Sequence, residues 1–393
     1  MRDTFNTAIL GAGASGLMCG VLLPNVDKII IEAGKTPGAK ILASGGGLCN
    51  FSNIKVSKAD YFGQNIPFCL SALAGYKPQD FINFLNSNHT PYTQRSSGQL
   101  FAKSSKNVLE ALLNNINKQN TQFAFNTFVK EVIKRGEVFE IQTSKGSFFA
   151  KNVICALGGL SYPALGATDG AYKIAKSFGL DITPLYPALT GIIFQDNLRQ
   201  IFTSLAGVSF NAKLTCGKNS FEGSVLITHA GISGPPMFQL SLYGVKNKEI
   251  KIDFLPTLDL KTLILAARST SKKVSDILKG QLPPRLINAL LNGKDKQVAN
   301  LSNKESEELI KTFHNFTFIP KDTNGYDHAE ITAGGIETKN ISSKTMQVAE
   351  TTGLYFTGEC LDISGRLGGY NLHWAWASAA AAARHINATA QNK

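Results

Sequence analysis

The stretch Leu10-Gly11-Ala12-Gly13-Ala14-Ser15-Gly16-Leu17, followed by Lys28-Ile29-Ile30-Ile31-Glu32, decides the fold. Ala8, Ile9 and Leu10 make a short apolar strand. Gly11 then allows a tight turn, Gly13 lets the backbone approach a pyrophosphate, and Gly16 lets the next helix pack closely on the sheet. That helix, opening at Ala14 and Ser15, turns unpaired N–H groups and the positive end of its dipole toward phosphates, so the motif needs glycines in place of basic side chains. The second strand ends in Glu32, about 20 residues after the first glycine, where a carboxylate accepts hydrogen bonds from ribose hydroxyls. An acid there disfavours a ribose 2′-phosphate. Strand, turn, helix, strand and acid in this order form a dinucleotide-binding unit, open at this point to FAD or NAD.

The remaining composition narrows the class. With 393 residues, 43% of them hydrophobic, the chain has enough material for two or three domains with substantial cores. No apolar run approaches the roughly 20 residues needed to cross a bilayer, so no membrane partner is expected. Met-Arg-Asp runs directly into the nucleotide motif and leaves no room for a signal peptide, which makes a cytoplasmic location the expectation. Cys19, Cys49, Cys69, Cys155, Cys216 and Cys360 include no close pair. That spacing fits reduced, mostly buried residues better than a disulfide framework or a zinc site, and it excludes a dithiol flavoenzyme.

The charge is unevenly placed. Residues 1–189 carry 18 basic and 11 acidic groups, residues 190–325 carry 17 and 11, and residues 326–393 carry 5 and 6. A surplus of 12 positive charges over the whole chain, none of it contributed by the last segment, fits a polyanionic partner such as structured RNA, although it also fits a generally basic protein. Lys246, Lys248 and Lys251 would share one side if their segment is a strand, and Lys272, Lys273 and Lys279 form a second group. The alternative for both is an ordinary solvated face. Aromatic stacking platforms of a known RNA motif are missing.

A second glycine-rich segment runs from Gly38 to Asn53, with Lys40, Gly45, Gly46, Gly47 and Asn50, and brings backbone amides flat against a ligand. Apolar spacing near 3.6 predicts helices over Lys77 to Asn86 and Ser105 to Lys118. Strands are predicted at 123–125, 129–133, 138–143, 148–149 and 152–157, the last running into Gly158-Gly159-Leu160-Ser161-Tyr162-Pro163. A helix over 171–178, closed by Gly179, follows.

From residue 190 short alternating strands at 190–194, 208–214, 223–227 and 250–254 predict an antiparallel barrel or sandwich. Residues 258–316 read as charged helices punctuated by Leu282-Pro283-Pro284-Arg285. The chain then returns to strands at 330–336 and 354–357, the second leading into Gly358-Glu359-Cys360-Leu361-Asp362. Gly369-Tyr370-Asn371-Leu372 precede a final helix over Trp374 to His385. Acceptors for ribityl hydroxyls, followed by glycines at a helix start, favour FAD over NAD. The fold expected is therefore α/β: a Rossmann-type two-part FAD-binding domain over 1–189 and 326–393. An inserted β-barrel-like domain over 190–257 and a small helical domain over 258–325 complete it.

The motifs GAGASG, SGGGLCNFSN at 44–53, ALGGLSYPALGATDG at 156–170, THAGISGPP at 228–236, TAGGIETKNI at 332–341 and TGECLDISGRLGGYNLHWAWASAAAAA at 357–383 together resemble the BaiN/RdsA-type NAD(P)/FAD-dependent oxidoreductases, a YhiN-like flavoprotein family. The resemblance spans essentially the whole chain, and its C-terminal block is the most specific part. Two departures stand out: Leu48 replaces the arginine usual within the triple-glycine motif, and the turn around Asp169 is one glycine shorter.

The resemblance implies that Gly11, Gly13, Ala14, Ser15 and Gly16 hold the pyrophosphate, Glu32 the adenosine ribose, and the Val129 backbone the adenine. Lys40, Gly45, Gly46, Gly47 and Asn50 would lie on the flavin side. Gly158, Gly358, Glu359, Asp362, Gly369, Tyr370, Asn371 and Leu372 would grip the ribityl chain and ring. It implies hydride passing from NAD(P)H through the flavin to a substrate. No second G-x-G-x-x-G exists, so the nicotinamide would visit transiently. His229, His373 and Tyr162 are candidates for the proton donor; for each, a hydrogen-bonded structural role is the favoured alternative.

Three functions follow. The first is an FAD-dependent reductase of a carbon–carbon double bond, with uridine in ribosomal RNA, giving dihydrouridine, as the leading substrate. The second is a small-molecule flavoenzyme, either an enone reductase or an amine or hydroxy-compound oxidase. The third is a non-catalytic flavin-binding interaction protein.

Overall fold

The structure, a computed structural model, describes residues 4–116 and 120–391. Two compact units divide the chain: residues 1–186 with 331–393, and residues 187–330.

In the first unit, strand Thr4–Leu10 lies between strands Lys28–Ile31 and Gly146–Cys155, parallel to both. Thr121–Ala124 extends the sheet beside Lys28–Ile31, and Leu354–Phe356 joins Gly146–Cys155 in parallel. All four residues of Lys28–Ile31 are buried, the pattern of a parallel strand covered on both faces. Gly146–Cys155 does two jobs along its length. Residues 146–150 pair antiparallel with Val138–Thr143, which in turn pairs with Val129–Arg135, while 153–155 pair with Leu354–Phe356. The two strands predicted at 148–149 and 152–157 are therefore one continuous strand, and it stops at Cys155.

Helix Ala14–Leu22 packs against the C-terminal helix, which spans Tyr370–Gln391 and so starts four residues before its predicted start. Ala379 to Ala383 are almost wholly buried. Their small side chains let the helices approach until Asn387 Nδ2 donates to the Leu22 carbonyl at 2.8 Å. The helices at Pro78–Ser87 and Ser105–Asn115 lie where periodicity placed them. The predicted end of the second, Lys118, lies outside the described residues.

The second unit is built on seven antiparallel strands in the spatial order Phe316–Phe318, Ile250–Asp253, Ser209–Cys216, Asn219–Ile227, Gly231–Ser233, Ile192–Ile193 and Asp322–Thr323. The two outer strands follow one another in the chain, and the link from Phe318 to Asp322 can span at most roughly 14 Å. Seven flat strands would separate them by roughly 29 Å, so the sheet must curl into a barrel-like form. Its ladder does not close by hydrogen bonds among the described residues. Helices Leu260–Ala267, Val274–Leu278, Pro284–Leu291 and Asn303–His314 share one core with this sheet, including Leu214, Ile252, Ile264, Leu286 and Phe313. The strand-rich and helix-rich segments thus belong to one unit.

The lysines fall differently from the strand-based expectation. Only Lys251 of the first group lies in a strand. Lys246 pairs with Asp322 at 2.8 Å, and Lys248 donates to the Tyr243 carbonyl at 2.7 Å, because the segment before Ile250 is a turn rather than a strand. Lys272, Lys273 and Lys279 are exposed around helix Val274–Leu278.

Candidate functional site

The site of the first unit begins with the backbone of the first turn. Gly11 sits at φ +98°, where a Cβ would lie 2.7 Å from the Ala156 carbonyl oxygen, and its N–H donates to the Ile31 carbonyl at 2.8 Å. A Cβ on Gly16 would overlap the Gly11 carbonyl, so these two glycines let strand, turn and helix close upon one another. Gly13 is different: a Cβ there would meet nothing within 4 Å. The space before the helix Ala14–Leu22, whose Gly13 cap supplies no side-chain acceptor, is left to a ligand.

Glu32 is tied to the same turn. Its Oε2 accepts the Ala12 N–H and its Oε1 the Gly34 N–H, both at 2.7 Å. Each carboxylate oxygen keeps lone-pair capacity for a ribose hydroxyl. Val129 is half-buried at the start of its strand.

Long-range hydrogen bonds join the first turn to the C-terminal motif. Ser15 Oγ donates to Thr357 Oγ1 at 2.8 Å, Gly358 N–H to Ser378 Oγ at 3.0 Å, and Trp374 Nε1 to the Gly358 carbonyl at 3.0 Å. Lys40 Nζ reaches Glu359 Oε2 at 2.6 Å and lies 5.9 Å from the centre of the Tyr162 ring. Glu359 Oε1 accepts the Thr332 N–H at 3.0 Å, and Thr332 Oγ1 accepts the Leu160 and Ser161 N–H groups at 2.7 and 3.1 Å. Residues from four distant motifs therefore converge.

The loop Gly45 to Gly47 runs entirely at positive φ, and a Cβ on Gly46 or Gly47 would meet nothing within 4 Å; the same holds for Gly158 at φ +75°. These positions present open backbone, as a flat ligand requires. Asn50, with its amide nitrogen toward the Ser52 and Leu100 carbonyls, accepts the Gly369 N–H at 3.1 Å. Asn371 clamps Gly365 from both sides, accepting its N–H at 2.7 Å and donating to its carbonyl at 2.8 Å. Tyr370 is buried at the helix start beside half-buried Leu372. Asp362 accepts the Gln64 N–H at 2.9 Å, and burial raises its pKa. Leu48 is 40% exposed beside this loop.

The proton-donor candidates separate. Tyr162 is half-buried with a left-handed backbone. His373 has no exposed surface; its Nδ1 lies 2.9 Å from Ser52 Oγ and its Nε2 lacks a hydrogen-bond partner. Burial pushes its pKa down to about 4, so it is neutral at pH 7. His229 belongs to the second unit, exposed in the turn between Asn219–Ile227 and Gly231–Ser233. Sequence reasoning did not single out Thr357, Ser378, Thr332 or Gln64. Their roles arise from partners more than 15 residues away, and no spacing rule signals that.

Among the described residues, no group of three His, Cys, Asp or Glu residues could hold a metal ion, and no helix is long and apolar enough to cross a membrane. The cradle fits a dinucleotide on its own evidence: open backbone at Gly13, Gly46, Gly47 and Gly158, with acids and amides fixed around it. Fold and site define a Rossmann-type FAD-binding protein, an oxidoreductase. The chain belongs to the family described as HI0933-like protein Rossmann domain, which it matches over residues 5–385. It is 39% identical to a Haemophilus influenzae protein named ribosomal RNA dihydrouridine synthase, covering 98% of this chain and 100% of the relative. A Clostridium scindens 3-dehydro-bile acid delta(4,6)-reductase is 30% identical over 96% of this chain and 97% of its own. Among solved structures, the 3-ketosteroid delta1-dehydrogenase of Sterolibacterium denitrificans shares the fold, with a TM-score of 0.53 at 12% identity over 99% of this chain and 100% of that one.

Proposed function

We propose that this chain is an NAD(P)H-fed, FAD-dependent reductase of a carbon–carbon double bond conjugated to a carbonyl, and that its substrate is uridine in ribosomal RNA, converted to dihydrouridine. The observation that carries this reading is the end-to-end match, at 39% identity, to a relative named for that reaction. The surplus of 12 basic groups supports a polyanionic substrate. A cytoplasmic location accompanies the reading.

FAD, when bound, supplies the hydride chemistry. The chain's part is to bind and orient. Gly13, Ala14, Ser15 and Gly16 hold the pyrophosphate on backbone N–H groups at the helix start, Gly11 shapes the turn that presents them, Glu32 takes the ribose, and the Val129 backbone borders the adenine. The open loop Gly45 to Gly47, with Lys40, Asn50 and Gly158, lies along the flavin side. Gly358, Glu359, Asp362 and Gly369 to Leu372 hold the ribityl chain and ring. Tyr162, within reach of Lys40, is the donor candidate of the first unit, and His229 that of the second.

A small-molecule enone reductase is the second reading, favoured by the bile-acid relative, which also reduces a carbonyl-conjugated double bond by its name. Measuring dihydrouridine in ribosomal RNA from cells with and without the gene, then adding purified flavoprotein and NADPH or NADH to the deficient RNA, separates them. Loss and in-vitro restoration of one dihydrouridine is the expected result. Unchanged RNA beside a flavin still reducible by NAD(P)H would leave the enone reductase.

A further inference from the structure

The second unit contains a cavity of about 520 Å³ lined by Gly191, Ile193, Ala230, Ser233, Phe238, Asn324 and His328. Its volume falls within the roughly 300–1,000 Å³ of small-molecule sites. The sheet register explains how it is made. Ile192 pairs with Ile232 on one side and Thr323 on the other, so these three share a face, and Ile192 and Ile232 are buried in the core. The neighbouring row, pointing the opposite way, is Ser233, Gly191 and Asn324. Its centre has no side chain.

That gap is enforced. A Cβ on Gly191 would lie 2.7 Å from Asn324 Nδ2 and 2.8 Å from the Ile232 carbonyl oxygen. The Asn324 amide therefore leans over the glycine, while the Asn324 N–H donates to the Gly191 carbonyl at 3.0 Å and fixes the backbone beneath it. The amide itself makes no hydrogen bond among the described residues, nor does the hydroxyl of Ser233 opposite. Both are half-buried at the floor. Ile193 and Phe238 add apolar surface, and exposed His328 stands at the rim. On the Ser233 side, the loop Thr228 to Gly231 is locked by Thr228, whose N–H donates to the Gly231 carbonyl at 2.8 Å and whose Oγ1 accepts the Gly231 N–H at 3.0 Å.

A free carboxamide resting over Gly191, with an apolar wall beside it, suits a flat ring with an adjacent donor and acceptor on one edge. An asparagine can accept from one ring N–H and donate to the neighbouring carbonyl. Uracil carries that edge at N3–H and O4. Resting on the RNA reading above, we infer that this cavity is the recognition pocket for the target uracil, with Asn324 reading the imide edge, Ser233 contacting its second carbonyl and Phe238 flanking the ring. A uridine reaches such a pocket only when unstacked from its RNA, which places the modified nucleotide in a loop or flipped conformation.

The test uses the full flavin-loaded chain, with uridine monophosphate and nicotinamide mononucleotide titrated separately by NMR and calorimetry. Asn324→Asp keeps the side-chain shape but removes the donor and places an acceptor against O4. It is expected to weaken uridine monophosphate tenfold or more and to raise the KM for deficient ribosomal RNA by a similar factor. Phe238→Leu, which keeps the core apolar, should weaken it severalfold. Flavin absorbance and thermal melting report whether both variants are folded. Equal uridine monophosphate binding by the parent chain and folded Asn324→Asp overturns the inference, as does a loss confined to nicotinamide mononucleotide. If the parent chain makes dihydrouridine and Asn324→Asp does so with unchanged KM, the pocket assignment falls while the RNA reading stands. If the parent chain makes none, the RNA reading falls, and the uridine monophosphate titration still decides the pocket.

Discussion

Glu359 holds the Lys40 ammonium at 2.6 Å through one carboxylate oxygen and the Thr332 N–H at 3.0 Å through the other. One acid thus ties the second glycine-rich segment, the strand Ile331–Ala333 and the C-terminal motif into a single wall. Lys40 is 36% exposed, so the pair contributes only about 0–1 kcal/mol to stability. Lys40→Met should therefore leave the melting temperature within a few degrees, yet lower FAD affinity about tenfold, a loss worth about 1.4 kcal/mol. Calorimetric titration of the apoprotein with FAD checks this; unchanged affinity would remove Lys40 from the cofactor site.

Gly13 and Gly16 should lose FAD for different reasons when given the same methyl group. Gly13→Ala adds a Cβ that meets no protein atom, so the apoprotein should melt as before while FAD binding falls tenfold or more. Gly16→Ala drives a Cβ into the Gly11 carbonyl and should destabilise the unit by about 2 kcal/mol or more, with FAD lost as a consequence. Parallel melting and flavin-retention measurements distinguish the two. A destabilised Gly13→Ala apoprotein would contradict the open cradle.

His373 makes stability fall on acidification. Its folded pKa of about 4 lies below the ordinary 6.5, so between these values the unfolded chain takes up a proton that the folded chain does not. Above pH 6.5 the residue has no effect, and the penalty grows as pH drops toward 4, reaching about 3 kcal/mol. His373→Gln should flatten the melting-temperature profile across that window. The same slope in both proteins would mean that other groups carry it.

Lys28 has the corresponding effect at alkaline pH. It is fully buried, donates to the Leu23 and Val26 carbonyls at 2.8 and 3.2 Å, and burial lowers its pKa to about 8. Below pH 8 the cost of burying the ammonium is present in full; it is relieved as pH rises from about 8 to the ordinary 10.4. Denaturant titrations should show that rise in the parent chain and its absence in Lys28→Met, whose own stability change is small because two carbonyls lose a donor as the charge is removed. A flat profile in the parent chain would contradict a neutralising lysine.

Much of the site was readable before the structure. The glycine turn and the acid at Glu32 are local features, set by spacing along a few turns of chain. The meeting of Lys40, Thr332 and Glu359 was not, because nothing in any one segment marks its partner. The helix start at Tyr370 was missed because Gly368 and Gly369 read as a loop whose end propensity cannot place. The long strand Gly146–Cys155 was split by Lys151, an exposed residue where that strand passes from an antiparallel to a parallel neighbour.

By itself the sequence determined the dinucleotide fold, because the first turn admits only glycine at Gly11 and Gly16 for steric reasons that are the same in every chain. Tertiary structure alone decided which polar groups face one another. Ser15 meets Thr357 across 342 residues, and Asn324 leans over Gly191 with its amide unpaired. Such contacts depend on where strands and helices come to rest after their apolar faces are buried, and that placement is settled by the packing of the whole core.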